Sequence, residues 1–127
     1  MARVLVLDVN KNEVREANCT ELDDFYRELQ AEPLDVVHYP VGNKRYDVFV
    51  DDEGLFRDVK IVSAINLFGR PILVGNLIFA NHNEAGEPTD LSDFDIDNIK
   101  RYIRVVDDLD SEYHGRKVLV VNTWLSL

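Results

Sequence analysis

The sequence predicts an α+β domain: a mixed, mainly antiparallel sheet with two main helices packed on one face. Three observations carry this. Short runs of Val, Leu and Ile alternate with turn residues, as strands do. Two segments repeat apolar residues at helical spacing behind N-cap chemistry. No repeat, low-complexity tract or linker divides the 127 residues, so one domain over 1–127 is expected.

Taken in order, Arg3 to Asp8 reads as a buried first strand, and Val14 to Ala17 returns after the turn residues Asn10 to Glu13. Thr20, with Asp23 three residues on, looks like the cap of a helix from about Glu21 to Gln30. Its apolar face holds Leu22, Phe25, Tyr26 and Leu29. Glu32-Pro33 stops it. Leu34 to Tyr39 and Tyr46 to Val50 form a hairpin around Pro40 to Asn43, and Asp52-Glu53-Gly54 makes a tight turn. Leu55 to Asn66 has no clean period and reads as a loop with one short helical turn. Pro71 to Ala80 is the most apolar run and reads as one strand paired on both edges, with Gly75 marking a bulge or close approach.

A polar loop then leads to Ser92, an N-cap with Asp95 as its reciprocal partner and Leu91 and Ile96 as a hydrophobic staple. Ile96, Ile99, Ile103 and Val106 extend the apolar stripe to the helix end. Lys117 to Leu125 closes the chain as a strand whose exposed edge offers a route to a homodimer. Phe25, Tyr26, Phe68, Phe79, Phe94 and Trp124 are assigned to the core. Tyr39, Tyr46, Tyr102 and Tyr113 are assigned to a contact surface.

Twenty-four acids oppose 14 bases, a net charge of −10, which argues against direct nucleic-acid binding and against an anionic membrane surface. Residues 84–112 hold ten acids and only Lys100, Arg101 and Arg104, so they carry −7 of that total. Asp93, Asp95 and Asp97 crowd a helix start, where the dipole favours negative charge. Asp107, Asp108 and Asp110 have no such reason and are expected beyond the last turn. A solvated face that keeps a small protein soluble would look the same as an acidic docking surface.

No apolar run spans a bilayer, and the first residues are too short an apolar stretch for a signal peptide, so a cytoplasmic protein is expected. The single Cys19 excludes a disulfide framework and sits where a thiol packs rather than reacts. His38, His82 and His114 lie far apart without ligand spacing. The Asp93-Asp95-Asp97 spacing opens like a calcium loop, but Asn98 and Arg104 stand where Gly and Glu are required. No phosphate loop, nucleophile elbow or zinc helix is present in the sequence. No catalytic residue, cofactor or metal ligand is assigned.

Several segments resemble a known family. Val4 to Leu7, then Leu29-Gln30 leading into Val36 to Pro40, resembles its opening strand, helix and second strand. Tyr46 to Leu55 resembles its acidic-Glu-Gly turn, and Val74 to Ala80 with Gly86 to Ser92 resembles its long strand and helix entry. These mark the phage and Firmicute family known as domain of unknown function 3846. The similarity covers about residues 1–105 and leaves 106–127 as an extension. The resemblance implies small proteins of bacteriophages and mobile elements, without agreed catalytic residues.

The function expected is that of a small acidic phage or mobile-element accessory protein in the bacterial host cytoplasm. It would bind, and inhibit, a host defence protein with a basic surface, by occupying a nucleic-acid site on it. The residues assigned to that contact are Asp90, Asp93, Asp97, Asp107, Asp108, Asp110, Glu112 and Tyr113. The alternative is a small-ligand- or metal-binding domain with weak or no hydrolase activity, which requires one of the three histidines in a polar pocket.

Overall fold

A computed structural model describes residues 2–31, 33–42, 44–53, 62–65, 71–107 and 117–122. Ten strands and two helices are described in the order β1 (Ala2–Asp8), β2 (Glu13–Cys19), α1 (Leu22–Leu29), β3 (Leu34–Val41), β4 (Lys44–Asp51), β5 (Val62–Ile65), β6 (Pro71–Val74), β7 (Leu77–His82), β8 (Pro88–Thr89), α2 (Asp93–Arg101), β9 (Ile103–Asp107) and β10 (Lys117–Asn122). The first sheet runs β2-β1-β7-β4-β3, antiparallel throughout, with β8 added to β7. A second sheet runs β6-β5-β10-β9, in which only β10 and β5 are parallel. The α+β class with a mainly antiparallel sheet and two helices is therefore observed. No helix among the described residues is long and apolar enough to cross a membrane.

The helices do not share a face. Val4, Val6, Phe49, Ile78 and Ala80 pack with Phe25 and Leu29 of α1. Leu5, Leu7, Tyr46, Val48 and Phe79 pack with Leu91, Ile96 and Ile99 around α2, joined by Ala64 and Val121 of the second sheet. The reason lies in the strands. Val4 to Leu7 and Leu77 to Ala80 are buried at every position. A sheet apolar on both faces must be covered on both.

Three element boundaries differ from expectation. The run Pro71 to Ala80 is two strands in different sheets, because Gly75 at φ +81° turns the chain between them. Asn76 fixes that turn by accepting the Val9 N–H at 2.9 Å. Helix α2 ends at Arg101, and Ile103 to Asp107 leaves as a strand, since Ile103-Arg104-Val105-Val106 is rich in β-branched residues. Val62 to Ile65, expected within a loop, forms β5. The strand over Lys117–Asn122 is not an edge: it is bonded to β5 on one side and β9 on the other. At Val121 and Asn122 the edge that was expected to be exposed is thus occupied by β5.

The local signals fared better. The hairpin closes between Val41 and Lys44, tighter than expected, with Gly42 at φ +63°. Ser92 caps α2, accepting the Asp95 N–H at 3.1 Å while the Asp95 carboxylate takes the Ser92 N–H at 2.9 Å. In α1 the cap is shifted by one residue, to Glu21 rather than Thr20, because Asp24 and not Asp23 reaches back to the Thr20 and Glu21 N–H groups. Gly54, Leu55 to Ile61, Asn66, Phe68 and Trp124 lie outside the described residues.

Candidate functional site

Of the acids expected at a contact surface, Asp90 and Asp93 are both engaged by Arg3. The Arg3 N–H donates to Asp90 at 2.6 Å, and its guanidinium donates to Asp93 at 2.8 Å and to Glu16 at 2.7 Å. The Asp93 side chain is nonetheless 91% exposed, so it still presents charge to solvent. Asp97 is exposed on α2, and Asp107 ends β9. Asp108, Asp110, Glu112 and Tyr113 lie outside the described residues.

Phe25 and Phe79 are buried as expected, but three other aromatic assignments reverse. Tyr39 and Tyr46, expected on the surface, are buried, whereas Phe94, expected in the core, is 67% exposed. Helix α2 turns Asp95, Ile96, Asn98 and Ile99 inward. Polar Asp95 and Asn98 tolerate burial because Tyr46 donates its hydroxyl to Asp95 at 2.9 Å and accepts from Asn98 at 3.0 Å. Lys44 and Asn81 complete the Asp95 shell at 2.7 and 2.9 Å. Burial alone would raise the Asp95 carboxyl; hydrogen bonds from Lys44, the Ser92 backbone, Asn81 and the Ser92 side chain outweigh it and hold the group well below its ordinary value. Burial first, then the acceptor Asp95, pushes the Tyr46 phenol up to about 12, although the Asn98 donor opposes the shift. Because the inward face is fixed by these bonds, Phe94, Asp97 and Arg101, at i, i+3 and i+7, share the outward one.

Beside Phe94 lies a groove of about 480 Å³ lined also by Lys44, Asn98, Arg101 and Tyr102. Gly42 approaches it so closely that an added Cβ would stand 3.0 Å from Asn98 Oδ1 and 3.1 Å from the Tyr102 ring. The outward face of α2 thus carries a bare phenyl ring and acids toward its N-terminus and bases toward its C-terminus.

On the opposite face of the sheet the fold assembles a cluster that sequence spacing did not disclose. Asp47 on the middle strand β4 is flanked by His38 of β3 and His82 of β7. The two imidazole Nδ1 atoms lie 2.9 Å from Asp47 Oδ1 and Oδ2 respectively. The pairing register explains it. His38 is directly opposite Asp47, and His82 is two residues beyond Ala80, the other cross-strand partner. The His82 contact is an aligned hydrogen bond; the His38 contact is off-axis and leaves Oδ1 without an aligned donor. His114 lies outside the described residues.

Cys19 is buried, and burial, with Glu28 and Asp24 nearby, pushes its thiol up to about 11, which disfavours the reactive thiolate. Among the described residues no group of three or more His, Cys, Asp or Glu is arranged to hold a metal ion by itself.

Fold and site together define a small two-sheet α+β domain with an amphipathic surface helix. The family described as Domain of unknown function (DUF3846) matches residues 1–106, and the chain belongs to it. No curated protein and no solved structure matches the chain.

Proposed function

We propose that the chain is a non-catalytic binding protein that docks the outward face of α2 against a partner with a basic surface. Phe94 is the observation that supports this reading. A phenyl ring left 67% exposed on a well-capped helix is an anchor of the kind that dominates interface energy. Asp90, Asp93 and Asp97 provide an acidic rim beside it, and the acids from Asp107 to Glu112 add to the charge of the same segment. Opposite charge accelerates association and competes with nucleic acid for a basic groove. The biological setting, a phage or mobile-element accessory protein inhibiting a host defence protein in the bacterial cytoplasm, rests on the net charge and the family resemblance alone.

The test is affinity capture from bacterial lysate with the full chain, the Phe94→Ala variant and an Asp90, Asp93, Asp97→Lys variant, with each captured protein quantified. A true partner is depleted at least tenfold by either variant and released as salt rises. Equal capture by all three chains counts against the reading.

The groove favours a second reading, a small-ligand domain with weak or no hydrolase activity. Lys44 and Arg101 offer positive charge, and Phe94 and Tyr102 offer ring faces, which suits a small anionic ligand carrying a planar ring. A nucleotide-induced rise in melting temperature, lost in Arg101→Ala, is the result this reading requires.

A further inference from the structure

The outward face of α2 carries both signs of charge. Asp93, Asp97, Lys100 and Arg101 are all exposed, and Phe94 stands among them, 67% exposed. Asp93 is paired with Arg3. Among the described residues no ion pair occupies Asp97, Lys100 or Arg101, although Asp97 and Arg101 are four residues apart on one face. These charges are available to a second surface.

The order of the signs says which surface fits. A uniformly basic partner satisfies Asp93 and Asp97 but meets repulsion at Lys100 and Arg101. A partner that covers the whole face must set bases against its acids and acids against its bases. The same helix laid antiparallel does so, and such a pairing closes on itself about a two-fold axis. With the axis level with the midpoint between residues 97 and 98, Phe94 of each copy lies opposite Arg101 of the other. Each acidic first turn then faces a basic last turn.

This register also gives Phe94 a seat. Opposite it is the groove of about 480 Å³ lined by Lys44, Asn98, Arg101 and Tyr102 beside that chain's own Phe94. A cavity of about 150 Å³ already holds a benzene ring, so a phenyl side chain has room. Arg101 and Lys44 supply cations for its face, and Tyr102 a ring for its edge.

We propose that the outward face of α2 pairs antiparallel with α2 of a second copy of this chain, each Phe94 seated in the other's groove. On the reading of that face as a docking surface, which this requires, the pair also controls access to it. It covers Phe94, and a basic partner has to displace the second copy. Two copies at −10 each repel at long range. At physiological salt the screening length is about 8 Å, which quiets that repulsion while adjacent opposite charges still meet.

Sedimentation velocity of the full chain over a concentration series, at about 0.15 M salt, tests the pairing. A monomer-to-dimer shift is expected, weakened at least tenfold in Phe94→Ala. Asp93→Lys with Asp97→Lys makes the outward face basic, and Lys100→Glu with Arg101→Glu makes it acidic. Each double variant should be monomeric, and an equimolar mixture of the two should recover the dimer. Circular dichroism confirms that each is folded; Phe94→Ala and the acidic variant carry the test alone should the basic one unfold. A chain monomeric at every concentration, or a dimer untouched by Phe94→Ala and by the charge variants, overturns the pairing. Folded charge variants that stay monomeric when mixed overturn the antiparallel arrangement. Lysate capture separates the two readings, because the acidic variant keeps Phe94 and the acids. A monomeric wild-type chain that captures a basic protein removes the self-pairing and leaves the docking reading standing; a dimer that captures none does the reverse.

Discussion

The Tyr46 hydroxyl donates to the Asp95 carboxylate at 2.9 Å, a buried bond that joins a central strand to the first turn of α2. It orients the helix: with Asp95 and Asn98 drawn inward, Phe94 has to face out. Tyr46→Phe should destabilise the chain by about 1–2 kcal/mol, since a buried acceptor loses its donor. Asp95→Ala should cost about 2–4 kcal/mol, because it removes the cap partner of Ser92 and strands the Tyr46, Lys44 and Asn81 donors. The double variant should cost clearly less than the sum, as expected of residues in one network. Denaturant unfolding of the four chains measures this coupling.

Acid should unfold the protein through the same residue and through Asp8. At Asp8, burial is outweighed by Arg15 and by the Lys11 and Asn10 backbone donors, so this carboxyl too is held below its ordinary value. A carboxyl lowered in the folded state stabilises fully above its unfolded value and loses that contribution as pH falls through the folded one. Stability should therefore be level at neutral pH and fall steadily below about pH 4. Asp95→Asn should start from a lower plateau and fall less steeply. Urea midpoints across that range provide the comparison.

Two glycines at positive φ should respond differently to substitution. Gly42→Ala meets both backbone strain and the Asn98 and Tyr102 side chains at 3.0–3.1 Å, and should cost at least about 2 kcal/mol. Gly86, at φ +81° with nothing within 4 Å of the added carbon, incurs strain alone, about 1 kcal/mol. Thermal unfolding of the two variants ranks them.

Phe94→Ala should leave stability within about 0.5 kcal/mol, as for a surface site. Phe79→Ala, which empties a fully buried position, should cost about 3–5 kcal/mol. A large loss at Phe94 would place the ring in the core and remove the support for α2 docking.

The features legible in the sequence are those set by neighbours along the chain. The Ser92–Asp95 capping box, the hairpin around Gly42 and the β1–β2 return all depend on residues a few positions apart. The His38–Asp47–His82 cluster was not legible, because it is assembled by pairing registers across three strands and joins residues as far apart as Asp47 and His82. The exposure of Phe94 is hidden in the sequence for a related reason. Hydrophobic content does not orient its helix; the rotation is set by two polar residues, Asp95 and Asn98, that share the buried Tyr46 hydroxyl on β4. The split at Gly75 follows the same logic, since a continuous apolar run does not say which sheet each half joins.

Strand β10 carries a consequence for how the family is delimited. The matched region ends at residue 106, inside β9, yet among the described residues it is β10 that joins β9 to β5. A chain cut at that boundary would present two unsatisfied ladders, each able to recruit a foreign strand. The stretch that sequence similarity recognises is therefore shorter than the described second sheet. Any excised version of this domain should keep residues through Asn122, or it invites strand exchange between molecules.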